Sequence, residues 1–153
     1  MTDYDFNNRR TLQGSAASNE TVRIDLDNGD YRDGWRVVYF TAWTQDQMKG
    51  PSAGNCNVFA TEPAQNTDDS GLSAWLGSAW YCTSTDGGGR LLGPMMEGRW
   101  AEDRIVQEDL WIIGSTNGDT GVYCFLIEIE RVNMTPNQGL FQRSQASAMG
   151  TLE

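Results

Sequence analysis

The chemistry open to this chain is limited first by a residue it lacks: none of its 153 residues is histidine. Serine or cysteine nucleophiles paired with an imidazole base are excluded, as is zinc held by histidine. Carboxylate chemistry remains. Glu97, Glu102, Asp103, Glu108 and Asp109 lie close together in sequence, and two acids facing each other across a cleft at roughly 5–9.5 Å can hydrolyse a glycosidic bond. Neighbouring residues of a strand point to opposite faces, so only alternate acids of this run can share a cleft. Solvated strand ends account for the group more simply, and no catalytic residue is assigned. Asp25, Asp27 and Asp30 surround Asn28-Gly29. A calcium loop beginning at Asp25 needs Gly at its sixth position and Glu at its twelfth, where this chain has Asp30 and Arg36, so no metal site is assigned. Asp86-Gly87-Gly88-Gly89-Arg90 lacks the Lys-Ser/Thr of a phosphate-binding loop and reads as a turn. No cofactor follows from these motifs.

The six tryptophans, Trp35, Trp43, Trp75, Trp80, Trp100 and Trp111, are the more suggestive set. Aromatic rings in a row on an exposed β face stack sugar rings, whereas buried ones fill cores and subunit interfaces. Strand alternation along Trp35-Arg36-Val37-Val38-Tyr39-Phe40-Thr41-Ala42-Trp43 puts Trp35 and Trp43 on one side with Val37 and Tyr39. Trp35 and Trp43 are therefore the candidate glycan-binding pair.

The elements that must position these groups are strands. Ile105–Gly114 and Gly121–Val132 flank Ser115-Thr116-Asn117-Gly118-Asp119-Thr120. The second strand, Val122-Tyr123-Cys124-Phe125-Leu126-Ile127, has the β-branched and aromatic composition of a strand covered on both faces. Val22 to Asp27 alternates apolar and charged residues, and Asn28-Gly29 after it signals a hairpin or tight connection into Trp35–Trp43. Cys56–Thr61 and Leu72–Thr83 read as further strands, the latter with a bulge at Gly77. Leu91-Leu92-Gly93-Pro94-Met95-Met96 reads as an edge strand, because proline cannot donate to a central ladder. Asn-Gly-Asp recurs at 28–30 and 117–119, which fits two ordinary turns better than a duplication. The fold class expected is all-β, an antiparallel β-sandwich. Its domain spans residues 21–132, with an N-terminal arm at 1–20 and a C-terminal arm at 133–153, both polar and small. Isolated apolar residues in those arms have no core of their own to join. Tyr4, Phe6, Leu12, Leu140, Phe141 and Leu152 are therefore the candidate partner-binding residues.

Charge and cysteine usage bound the partners. The formal net charge of −10 repels phosphate backbones and anionic lipid, so neither nucleic acid nor membrane is expected as a partner. No run reaches the roughly 18 apolar residues of a membrane span, and Met1 to Arg10 has no apolar leader segment. Cys56, Cys82 and Cys124 are odd in number and widely spaced, which reads as free core thiols in a reducing compartment.

Two stretches carry a family likeness: Ile24-Asp25-Leu26-Asp27-Asn28-Gly29-Asp30 before Trp35-Arg36-Val37-Val38, and Val106-Gln107-Glu108-Asp109-Leu110-Trp111-Ile112 before the last strand. In these the chain resembles the small, jelly-roll-like β-sandwich virion proteins of bacterial viruses, of the minor capsid or head-decoration type. The resemblance implies a structural protein made in the host cytoplasm and carried in the virion. It implies a homo-oligomer, often a trimer, that binds the major capsid protein through terminal arms. It brings no catalytic residue. The alternative is a carbohydrate-binding β-sandwich module using Trp35 and Trp43.

Overall fold

The computed structural model describes residues 8–27, 29, 32–45, 52–66, 74–85, 88, 90–116 and 121–134. Its elements are eight strands: β1 (Arg9–Ala17), β2 (Thr21–Asp25), β3 (Asp33–Thr44), β4 (Ser52–Phe59), β5 (Trp75–Thr85), β6 (Leu91–Trp100), β7 (Asp109–Thr116) and β8 (Val122–Asn133). They form two antiparallel sheets, a three-stranded one in the order β1-β8-β3 and a five-stranded one in the order β2-β7-β4-β5-β6. The expected all-β sandwich is the fold observed.

The pairings nest. β1 pairs with β8, β2 with β7 and β4 with β5. A long antiparallel ribbon folded over on itself gives this order, which is the jelly-roll wrap. The remaining nested pair, β3 with β6, meets across the sheets without a ladder. There the Gly98 backbone lies against the carbonyl oxygen of Phe40, and a Cβ at position 98 would collide with that oxygen. Glycine is needed here for close approach.

Between the sheets, β8 supplies Tyr123, Phe125, Ile127 and Ile129, all buried. β7 supplies Leu110 and Ile112, β4 supplies Cys56 and Val58, and β3 supplies Trp35, Val37, Phe40 and Ala42. Burying each large side chain stabilises the fold by about 1.5–3 kcal/mol. Tyr123 also ties three elements together. Its hydroxyl donates to the carbonyl of Glu20 at 2.5 Å, in the turn between β1 and β2, and lies 3.3 Å from that of Ile112 on β7. A smaller cluster of Phe59, Trp75 and Ile113 lies on the outer face of the five-stranded sheet.

Several features depart from the sequence reading, each for a physical reason. Residues 9–17, placed in the N-terminal arm, form β1 and pair with β8 along their whole length. Their small residues made them look like a linker. Gly14 is small because Phe125 lies beneath it, with Cζ 2.8 Å from where a Cβ would stand. β8 is covered on one face only; buried and half-buried residues alternate from Val122 to Glu130.

Neither Asn-Gly stretch closes a hairpin. β2 and β7 lie in one sheet, β3 and β8 in the other, so both connections cross the sandwich. The expected bulge on β5 falls one residue earlier than Gly77. Leu76 is the extra residue, turned into the core while Trp75 stays outside.

Candidate interaction surfaces

The tryptophan face expected on β3 is broken by a single residue. Val37 pairs with Ile129 and Tyr39 with Glu128, so Val38 is an extra, bulged residue. A one-residue insertion reverses the alternation beyond it. Trp35 and Val37 point inward before the bulge, and Phe40, Ala42 and Thr44 point inward after it. Trp35 is buried, while Trp43 is half-buried on the opposite side, across from Cys124. Trp35 and Trp43 therefore share no face.

Three other tryptophans do share one. Trp75, Trp80 and Trp111 belong to the outer side of the five-stranded sheet, where guanidinium groups already lie against them. Arg99 sits 5.0 Å from the centre of Trp80 and 5.7 Å from that of Trp75. Arg104 sits 5.9 Å from Trp75, and Arg23 sits 5.6 Å from Trp111. A cation over the ring occupies the face a sugar would use. Arg10 covers the buried Trp35 in the same way at 4.8 Å.

Beside these rings, a relay of neutral groups holds a loop down. The indole N–H of Trp75 donates to Ser78 at 2.8 Å, and Ser78 donates to Asn57. Asn57 donates to Asn66 at 2.5 Å, and Asn66 donates to Asn55 at 2.7 Å and to Ser115 at 3.1 Å. Asn57 and Ser78 are fully buried. Each polar group is satisfied by its neighbours, so the relay anchors the segment before Asn66.

Several of the acids are engaged in structural contacts. Asp109 is paired with Arg23 at 3.1 Å, and that hydrogen bond holds the Arg23 guanidinium above its ordinary pKa. Glu102 accepts from the Trp100 indole at 3.2 Å. Asp25 accepts from the backbone N–H of Asp27 at 3.0 Å, and Asp27 from that of Gly29 at 2.8 Å, so these acids shape a turn. Among the described residues no group of three His, Cys, Asp or Glu side chains is placed to hold a metal ion. The three cysteines are free. Cys56 is buried, and Cys82 and Cys124 are half-buried rather than enclosed in the core. Burial pushes the thiols of Cys56 and Cys124 up, toward the inert neutral form.

Exposed large apolar side chains gather at the β3–β6 margin. Met95 is 66% exposed, Met96 52% and Tyr39 42%. Consecutive residues on a strand face opposite ways, so Met95 and Met96 put one thioether on each side of β6. Tyr39 packs edge-on to Trp100 at 5.7 Å. An open groove of about 460 Å³ lies beside the two methionines, lined by Trp80, Cys82, Met95, Met96 and Glu97 among others, all on the five-stranded sheet. β6 is an edge strand, as Pro94 indicated.

Of the arm residues expected to bind a partner, Tyr4, Phe6, Leu140, Phe141 and Leu152 lie outside the described residues. Leu12 lies on β1, half-buried and packed against the main core. The sequence places Met95 and Met96 on an edge strand and assigns them to no interface. Their signal was two adjacent apolar residues on a strand already marked as an edge. No family model, curated protein or solved structure matches the chain.

Proposed function

We propose that this chain is a structural component of a virion, a decoration or minor capsid protein that binds copies of itself and a major shell protein. It works by surface burial, with no reacting group and no cofactor. The observation that carries the reading is the apolar β3–β6 margin, where Met95, Met96 and Tyr39 stand exposed on an otherwise acidic chain. Methionine is flexible and polarisable and suits a docking surface. Repeated weak contacts on a lattice add avidity. The jelly-roll wrap occurs in capsid and lectin domains alike, and this part of the support is an analogy of fold.

The test is gradient sedimentation of particles from the producing culture, with copy number measured by mass spectrometry. The protein is expected in the particle fraction at a fixed, repeated copy number. Met95→Lys with Met96→Lys is expected to lower that occupancy at least about tenfold, since two buried charges cost far more than the 1.4 kcal/mol that a tenfold change needs. Wild-type protein found only at the top of the gradient removes the reading.

The carbohydrate-binding reading loses the shared face of Trp35 and Trp43, and Arg99 stands over Trp80, the tryptophan that lines the groove. Sugar titration followed by tryptophan fluorescence tests it, and a flat response on the wild type sinks it.

A further inference from the structure

The two sheets have four outer strands, and three of them are blunted against pairing. β6 contains Pro94, which has no N–H to offer, and a register irregularity between Cys82 and Ser84 falls opposite it. β3 is bulged at Val38 and lies against β6. β2 is five residues long and carries Arg23 and Asp25 on its outer side. β1 has none of these devices. It runs nine residues without proline, bulge or acid, and only Arg9 and Arg10 at its start are charged.

The polarity of the β1 edge can be worked out residue by residue. Ser18 N–H donates to the carbonyl of Gly121, one step past the Ala17–Val122 pair. Backbone groups alternate sides along a strand, so the even-numbered residues of β1 bond to β8 and the odd-numbered ones point to the open edge. Ala17 is already taken on that edge: its N–H donates to the Glu20 carboxylate at 3.3 Å and its carbonyl accepts from Glu20 N–H at 2.9 Å. Arg9, Thr11, Gln13 and Ser15 remain, and among the described residues no strand pairs with them.

We infer that β1 is the joint between two copies of this chain, paired antiparallel about a two-fold axis at Leu12. Only this register matches every open residue to an open one, with Thr11 opposite Gln13 of the second copy and Arg9 opposite Ser15. Shifting the axis to Gln13 would demand the groups of Ala17, which the turn has used. Charge does not oppose the arrangement. The two Arg9 residues then stand about 20 Å apart at 3.4 Å per residue, beyond the screening length of roughly 8 Å at physiological salt. On the inner side the two Leu12 side chains meet in a non-hydrogen-bonded pair, where cross-strand side chains lie closest. The result is one continuous six-stranded sheet.

This deepens the assembly reading by naming its self-contact, and it replaces the trimer that the resemblance implies with a closed two-fold pair. The test is light scattering on the purified chain together with two variants. The wild type is expected at twice the 17.0 kDa of one chain. Gln13→Pro removes an outward N–H and leaves the β8 ladder intact, so it is expected at one chain mass with an unchanged circular-dichroism spectrum. Leu12→Cys, mildly oxidised, is expected to cross-link into a dimer, and Gln13→Cys and the wild type are not. A wild-type mass of one or three chains overturns the joint, as does a dimer that survives Gln13→Pro or a Leu12→Cys that fails to cross-link. A monomer that still sediments with particles removes the joint and leaves the shell reading standing. A dimer that never meets a particle does the reverse.

Discussion

The two margins of the sandwich solve the problem of an unpaired edge in opposite ways. At the β3–β6 margin the sheets close on each other through backbone contact at Gly98 and Phe40, and apolar side chains are left outside. At the β1–β2 margin one turn, Ala17 to Glu20, ties the sheets together, and β1 keeps the outward backbone groups of Arg9, Thr11, Gln13 and Ser15 open. The first margin presents exposed apolar side chains on strands blunted by Pro94 and by the Val38 bulge, which suits a foreign apolar surface. The second offers outward backbone groups without proline, bulge or acid, which suits another strand. An edge can therefore be specialised by what is removed from it as much as by what is added.

The largest effect should come from breaking the closed margin. Gly98→Val puts a side chain into the Phe40 carbonyl and should cost about 3 kcal/mol, the upper part of the usual range for overpacking. Urea titration should show a lower midpoint with the slope retained. The tied margin should be next. Tyr123→Phe leaves the Glu20 carbonyl without its buried donor, which should cost about 2 kcal/mol and lower Tm by about 6 °C. If both substitutions cost the same, or the second costs more, the ranking of the two closures is wrong.

A smaller effect sharpens the comparison through pH. Burial pushes up the thiol of Cys56 and the phenols of Tyr81 and Tyr123, from ordinary values of 9.0 and 10.0. The folded chain then holds protons that the unfolded chain releases, so their contribution to stability is full below the ordinary values and is lost as pH rises above them. Thermal melts should show no loss from these groups up to about pH 8 and a progressive fall above about pH 9, with Cys56→Ala making the fall between about pH 9 and 10 shallower, the raised Cys124 thiol keeping a part of it. A Tm that is flat to pH 11 would contradict the burial of these groups.

Much of the fold was legible in the residues themselves. The β-branched and aromatic run from Val122 to Ile129 is the central strand of its sheet, and Pro94 marked β6 as an edge. What could not be read was relational. An Asn-Gly turn looks the same whether the next strand pairs beside the last or crosses to the other sheet. Val38 reverses the facing of Trp43 relative to Trp35, and nothing in the residue announces it as a bulge. β1 looked like a tether because an edge strand buries only one side, and its inward side is Leu12, Gly14 and Ala16. For the interaction surface, Met95 and Met96 were readable once β6 was an edge. The arginines covering Trp75, Trp80 and Trp111 were not, since those contacts join residues brought together only by the fold.

The most direct test of the account is the oxidation rate of Met95 and Met96 under dilute peroxide, measured by peptide mass spectrometry on free protein and on particles. Thioethers this exposed should oxidise readily in the free chain. If the β3–β6 margin is the docking surface, both should oxidise at least about tenfold more slowly on the particle, the ratio expected when more than nine-tenths of copies are bound. Equal rates in the two samples, with the protein demonstrably on the particle, would contradict the claim that this margin is where it binds.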